Sequence, residues 1–315
     1  MNTCLSIIVP VFNGSPYIRK LVANLDELAF NDYEIIIVND GSTDDTLQQI
    51  EEVVSKNSKY KVINQVNQGV ATARNTGIDN AKGTWLFFLD ADDAITPNYF
   101  DFIHEKITFQ ETCAELIVIN GVCDDFGGKR YKRWNPQNFD KTFDDATSYV
   151  LETKIMKYVW GKLYLRSFIV KNNVKFESFH IAEDFLFNTK VCMQNPTLIN
   201  IDSGDYHYYQ NPISATKTYT KDNLLGRLQV IERIREMLPS TEINLKKVNY
   251  LYMEFFLYQT LKHIDKLSKL ERASIIRFLK KERKQMTFSY IPFLPISAKG
   301  KMLFYCLIFR YLYWS

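Results

Sequence analysis

The sequence predicts an α/β fold, a mostly parallel sheet sandwiched by helices, followed by a helical extension at the C-terminal end. Three observations lead there. Apolar runs of strand length without polar alternation, such as Leu5 to Val11 and Tyr33 to Val38, read as strands buried on both faces. Between them stand helical segments opened by capping residues. Strand and helix then alternate, which implies right-handed crossovers and a doubly wound sheet.

Taken in order, Leu5 to Val11 is the first strand, and Phe12-Asn13-Gly14 turns it into a helix with Ser15 as cap and Pro16 at its first position. Tyr33 to Asn39 is the second strand; it ends in Asp40-Gly41-Ser42, and Thr43 or Asp44 caps a helix to Ser55. Tyr60 to Asn64 forms a short third strand, Asn67-Gln68-Gly69 a turn, and Val70 to Asn80 a helix. The fourth strand, Thr84 to Leu89, runs straight into Asp90-Ala91-Asp92-Asp93. A helix is expected from Pro97 to Gln110, then a fifth strand over Leu116 to Asn120.

Ligands of such sheets sit beyond the carboxyl ends of the strands, the edge where Asn13, Asp40, Gly69 and Asp90 all fall. If the fourth strand stays extended for two more residues, Asp90 and Asp92 point the same way and offer hard oxygen ligands to a divalent cation. A helix cap with an acidic first turn is the alternative reading of that cluster. The first turn lacks the Gly-x-Gly-x-x-Gly spacing, and no Walker-type loop occurs, which argues against a nicotinamide enzyme and a P-loop ATPase.

Composition agrees with a globular protein of one large domain plus an appendage: 315 residues, 46% hydrophobic and 24% charged, with a high aromatic content of 14%. A net charge of +3 is too small to point to nucleic acid. Cys4, Cys113, Cys123, Cys192 and Cys306 are scattered without metal-ligand spacing, as expected of reduced thiols in the cytoplasm. No signal peptide is evident at the N-terminus.

Four stretches, in order over the N-terminal third, are similar to the family 2 glycosyltransferases: Ser6-Ile7-Ile8-Val9-Pro10-Val11-Phe12-Asn13, Glu34 to Asp44, Asn67 to Gly77, and Leu89-Asp90-Ala91-Asp92-Asp93. The resemblance implies a GT-A fold, a nucleotide-sugar donor of the UDP type, Mn2+ or Mg2+, and inversion at the anomeric carbon. It places the nucleoside against Pro10, Phe12 and Asn13, near Gly69, with Asp40 accepting hydrogen bonds from the base. Phe12 stands where many relatives have tyrosine, keeping a ring and losing a hydroxyl. Arg74 is expected near the base and phosphates, since its fork of donors suits anionic oxygens. Asp92 is the expected direct metal ligand, Asp90 lies closer to the ribose, and Asp93 only caps the next turn.

Downstream, Cys123 to Tyr131 reads as a polar loop or hairpin, and Trp160-Gly161-Lys162-Leu163-Tyr164 leads to a short helix from Ser167. Trp160 is either a wall for the sugar or a core residue. Glu183-Asp184 opens a helix whose N-terminus stabilises carboxylates. The resemblance assigns Asp184 as general base, taking the acceptor hydroxyl's proton, with Glu183 in support. Asp205 to Tyr209 is an alternating strand, in which His207 is a candidate third metal ligand or diphosphate contact.

From Leu224 the pattern is helical: Leu224 to Leu238, Leu245 to Leu267 and Lys269 to Lys284, the last rich in Arg and Lys. An apolar, aromatic stretch over Met302 to Trp314 is too short and too interrupted to cross a bilayer, which takes about 20 apolar residues. Basic and aromatic residues together suit attachment to an anionic membrane surface, or docking of the helices into an oligomer. The organisation expected is a catalytic domain over residues 1–220, with a nucleotide-sugar half (1–121) and an acceptor half (122–220), and a helical region over 221–315.

The resulting expectation is an inverting hexosyltransferase, peripheral on the inner face of the plasma membrane. It would move glucose, galactose or N-acetylglucosamine to a polyprenyl-diphosphate-linked saccharide in O-antigen or capsule synthesis. The processive relatives' Gln-x-x-Arg-Trp motif is missing. The rival readings are a sugar nucleotidyltransferase, which would require a Gly-rich basic loop after the first strand, and a non-catalytic carbohydrate-binding or scaffold protein.

Overall fold

A computed structural model describes residues 3–55, 57–103, 113–126, 129–134, 150, 155–209, 220–241 and 264–282, with isolated positions between 244 and 262. The chain divides into two compact units, one of residues 1–178 and 183–211, the other of 179–182 and 212–315.

In the first unit, β1 (Leu5–Val11), β2 (Tyr33–Asp40), β3 (Tyr60–Gln65) and β4 (Trp85–Phe88) form a parallel block in the order β3-β2-β1-β4. Every residue of β1 and β4 is buried, as their unalternated apolar sequences require. Helices α1 (Ile18–Asp26), α2 (Thr46–Val54) and α3 (Val70–Asn80) make the crossovers. Because β2 lies on one side of β1 and β4 on the other, the order reverses between β1 and β4, the point at whose carboxyl edge sheets of this kind take their ligands. Asp90 stands there.

The rest of the sheet departs from a simple parallel continuation. The expected fifth strand extends to Phe126 as β6 (Leu116–Phe126) and does not sit beside β4. Between them runs β8 (Lys162–Leu165), antiparallel to both, with Leu86 opposite Tyr164. The polar stretch after Gly121 is a hairpin, β6 turning into β7 (Lys129–Trp134). β9 (Leu198–Tyr209) pairs parallel with β6 and antiparallel with the two-residue β5 (Ala94–Ile95), which pattern reading did not anticipate. Two helices follow strands here: α4 (Arg166–Lys171) after β8, and α5 (Glu183–Met193) before β9. The helix expected from Pro97 begins as a series of turns through Asp101 and becomes helical at Phe102 and Ile103; its remainder, from 104, lies outside the described residues.

Close approach of α3 to β1 depends on Gly77, where a Cβ would stand 2.3 Å from Ile8 Cγ2 in the core. Gly77→Ala is therefore expected to push the helix that carries Arg74 off the sheet. A loss of about 1–3 kcal/mol, read as a lower denaturation midpoint in urea, is the expected cost of such overpacking.

In the second unit, α6 (Lys221–Met237) is capped by Thr220, whose side chain accepts from Asn223 N. α7 (Lys269–Glu282) opens with a reciprocal box: Ser268 N and Oγ donate to Glu271 Oε2, and Glu271 N donates to Ser268 Oγ. The expected tail over residues 283–315 and most of the expected middle helix lie outside the described residues. Among the described residues, no helix is long and apolar enough to cross a membrane.

Candidate active site

The rim of the parallel block is built from backbone turns that tie strand ends together. Asn13, in a left-handed conformation (φ 48°), donates its N–H to Ser42 Oγ, and its Oδ1 accepts from Thr43 N at 2.8 Å. Asp40 is buried at the end of β2 and already serves three donors: Gln65 Nε2 (2.7 Å), Gln68 N (3.0 Å) and Gly69 N (2.8 Å). The chain thus uses much of the acceptor capacity expected for a nucleobase, and Asp40 braces the turn that starts α3. Gly69 has φ 86°, with open space around an added Cβ, so its backbone conformation is what suits glycine there. Beside this turn Phe12 is 52% exposed, and Val66 and Val70 are also exposed, an apolar margin next to buried Pro10.

Arg74, from the second turn of α3, is 3% exposed and does not lie open to phosphate oxygens as expected. Its Nη2 donates to Asp90 Oδ1 at 3.0 Å, and its Nη1 to Glu183 Oε1 at 3.0 Å and Asp184 Oδ1 at 2.5 Å. Both ends of the guanidinium fork are engaged by carboxylates, a geometry that lysine could not reproduce. The guanidinium also lies 5.4 Å from the centroid of Phe176. Residues far apart in sequence are gathered here: the end of β4 and the start of α5 meet on one side chain of α3.

One cation against three carboxylates leaves an excess of negative charge. Burial pushes Asp184 up to about 8, with Arg74 opposing and the Glu183 and Asp90 charges reinforcing the rise. Its second oxygen, Oδ2, accepts from Val159 N at 3.2 Å. Ala182, immediately before the helix, has φ 64°, a conformation that L residues rarely adopt and that sets the direction in which Glu183 and Asp184 leave the chain.

Asp92 is half-buried, and its carboxyl is pushed up to about 6, first by burial and then by the charge of Asp90. Arg74 engages Asp90 Oδ1, and the other carboxylate oxygens of the pair are hard donors that fit a divalent cation. Asp93 does more than cap a turn. It is buried, accepts from Tyr206 OH (2.6 Å) and Tyr209 N (3.0 Å), and ties the acidic turn to β9. Because Tyr206 faces Asp93, strand alternation sends His207 to the other face, where its ring lies 6.4 Å from that of Tyr209. Among the described residues, no group of three His, Cys, Asp or Glu side chains is gathered for a metal, so Asp90, Asp92 and His207 do not form one.

Trp160 is 6% exposed, with Tyr158 stacked at 4.5 Å and Tyr206 at 5.3 Å between ring centroids. It is a core residue. Pattern reading missed Lys162, Tyr164 and Asn188, buried residues whose hydrogen bonds converge on the turn Tyr158-Val159-Trp160 that donates to Asp184; the available signal was a lysine within the otherwise apolar stretch Trp160 to Leu165.

Comparison with known proteins bears on this arrangement. The profile of glycosyl transferase family 2 matches residues 6–170. The uncharacterized glycosyltransferase EpsJ of Bacillus subtilis is 30% identical over 238 residues, covering 73% of this chain and 67% of EpsJ. The putative glycosyltransferase EpsH of the same organism is 31% identical over 223 residues, 69% of this chain and 64% of EpsH. In structure, S. aureus TarS in complex with UDP-GlcNAc is similar with a TM-score of 0.69 at 20% identity, over 98% of this chain and 88% of that one.

Proposed function

Since the chain belongs to glycosyl transferase family 2 and is a glycosyltransferase, we propose that it moves a single hexose from a UDP-sugar, with inversion, to a lipid-linked saccharide in bacterial surface-polysaccharide synthesis. The observation that carries this reading is the Arg74 cluster, which sets a buried carboxylate of raised basicity beside the acidic end of β4.

In the proposed reaction Asp184 removes the proton of the acceptor hydroxyl. The freed oxygen pair attacks the anomeric carbon, and the bond from that carbon to the diphosphate oxygen breaks, leaving UDP with the electron pair. Glu183 shares Arg74 with Asp184 and keeps the base oriented. Pro10, Phe12, Asn13 and the turn at Gly69 border the nucleoside, held in place by Asp40. Asp92 and Asp90 are the residues that would hold Mn2+ or Mg2+. Such an ion supplies charge neutralisation for the leaving diphosphate. The basic sequence Arg272, Arg277, Lys280 and Lys281 supports attachment to anionic lipid at the inner face of the plasma membrane, where a polyprenyl-linked acceptor is presented.

The test is a panel of UDP-glucose, UDP-galactose and UDP-N-acetylglucosamine incubated with the full chain and manganese. Slow release of UDP from one of them is expected. Release should stop on chelation with EDTA, and Asp92→Asn should abolish it while circular dichroism stays unchanged. Calorimetric binding of UDP without turnover of any sugar would instead favour a non-catalytic carbohydrate-binding or scaffold protein.

A further inference from the structure

We propose that Lys162 is a positioning residue for Asp184, acting through the turn Tyr158-Val159-Trp160; this rests on the reading of Asp184 as base. Lys162 opens β8 and has no solvent exposure. Its Nζ donates to Tyr158 O at 2.7 Å and to Trp160 O at 3.2 Å. These two carbonyls flank Val159, whose N–H is the donor to Asp184 Oδ2. The lysine therefore fixes the backbone on either side of the one amide that holds the base's second oxygen.

The same turn is gripped from the opposite side by the helix that carries the base. Asn188 stands one turn after Asp184 on α5, on the same face, and its Nδ2 donates to Met156 O and Tyr158 O, both at 2.8 Å. Asn188 is itself oriented by Tyr164 OH, which donates to its Oδ1 at 2.7 Å. Tyr158 O thus receives one donor from β8 and one from α5. Asp184 is held at both oxygens, Oδ1 by Arg74 and Oδ2 by the clamped amide, which leaves its carboxylate little freedom to rotate.

A burial penalty accompanies this arrangement. Desolvation lowers the Lys162 ammonium to about 7, a cost that a methionine filling the same space would not carry. Packing alone therefore does not account for a lysine here, whereas the need for two directed donors does. An error of about 1 Å in the base's position is enough to cost on the order of 100-fold in rate.

The experiment uses the full chain, whichever UDP-sugar of the panel turns over, and UDP itself as the binding probe. Lys162→Met is expected to lower kcat by about 10- to 100-fold, while the calorimetric Kd for UDP stays within threefold. In the Asp184→Asn background, Lys162→Met should cause no further loss of the residual rate, because its effect runs through that carboxylate. If Lys162→Met does not fold by circular dichroism, Lys162→Arg, which keeps the donors at a different reach, carries the same expectation. A folded variant with kcat within threefold of the parent overturns the proposal, as does a loss that repeats in full without Asp184. Full activity of Asp184→Asn alone would instead sink the assignment of the base, and lack of turnover with every UDP-sugar would sink both.

Discussion

Arg74→Met is expected to abolish sugar transfer and to destabilise the protein by about 3–5 kcal/mol near pH 8, the range for removing one partner from a buried ion cluster. The substitution leaves Asp90, Glu183 and Asp184 facing one another without the guanidinium that reaches all three. The charged form of Asp184, already penalised by burial, then loses the opposing charge of Arg74, so its folded-state pKa rises further. A carboxylate raised in the folded state binds more protons folded than unfolded across the interval between its two pKa values. Stability of the variant should accordingly fall as pH rises through that interval, and acidification towards pH 6 should restore part of it. Urea denaturation of parent and variant at pH 6 and pH 8 measures this, and a variant whose deficit is the same at both would contradict the electrostatic account.

Asp184→Asn should act in the opposite way on stability. It removes one of three negative charges competing for Arg74, so the folded protein is expected to be as stable as the parent or slightly more so at pH 8, while kcat falls by about 100- to 10,000-fold. UDP affinity, on the proposed placement of the nucleoside at Pro10, Phe12 and Asn13, should not change. The parent's rate should show an acidic limb well above the ordinary aspartate range of about 4, because a base raised by burial loses its free electron pair as pH falls through its raised value. Asp184→Asn should lack that limb. A parent profile flat from pH 5 to pH 9 would assign the proton to another group.

The parallel block was legible because burial on both faces writes itself into consecutive residues: Ile7-Ile8-Val9 and Leu86-Phe87-Phe88 allow no other placement in a sheet covered by helices. The rim was legible for the same reason, since topology alone puts Asn13, Asp40 and Asp90 at one edge. The place of β8 was not. Lys162–Leu165 is short, carries a lysine, and acquires its position only by pairing antiparallel between β4 and β6.

The sequence by itself determined the family, the doubly wound N-terminal block and which carboxylates end up near its rim, because those follow from local periodicity and from motifs within single turns. Only the tertiary structure decided how these groups are partnered: that Arg74 serves three carboxylates, that Asp40 is held by the turn before α3, that Asp93 binds β9, and that His207 lies beside Tyr209. Partnering depends on contacts between residues up to 116 positions apart, and the spacing of residue types along a chain does not encode which donor reaches which acceptor once the elements pack.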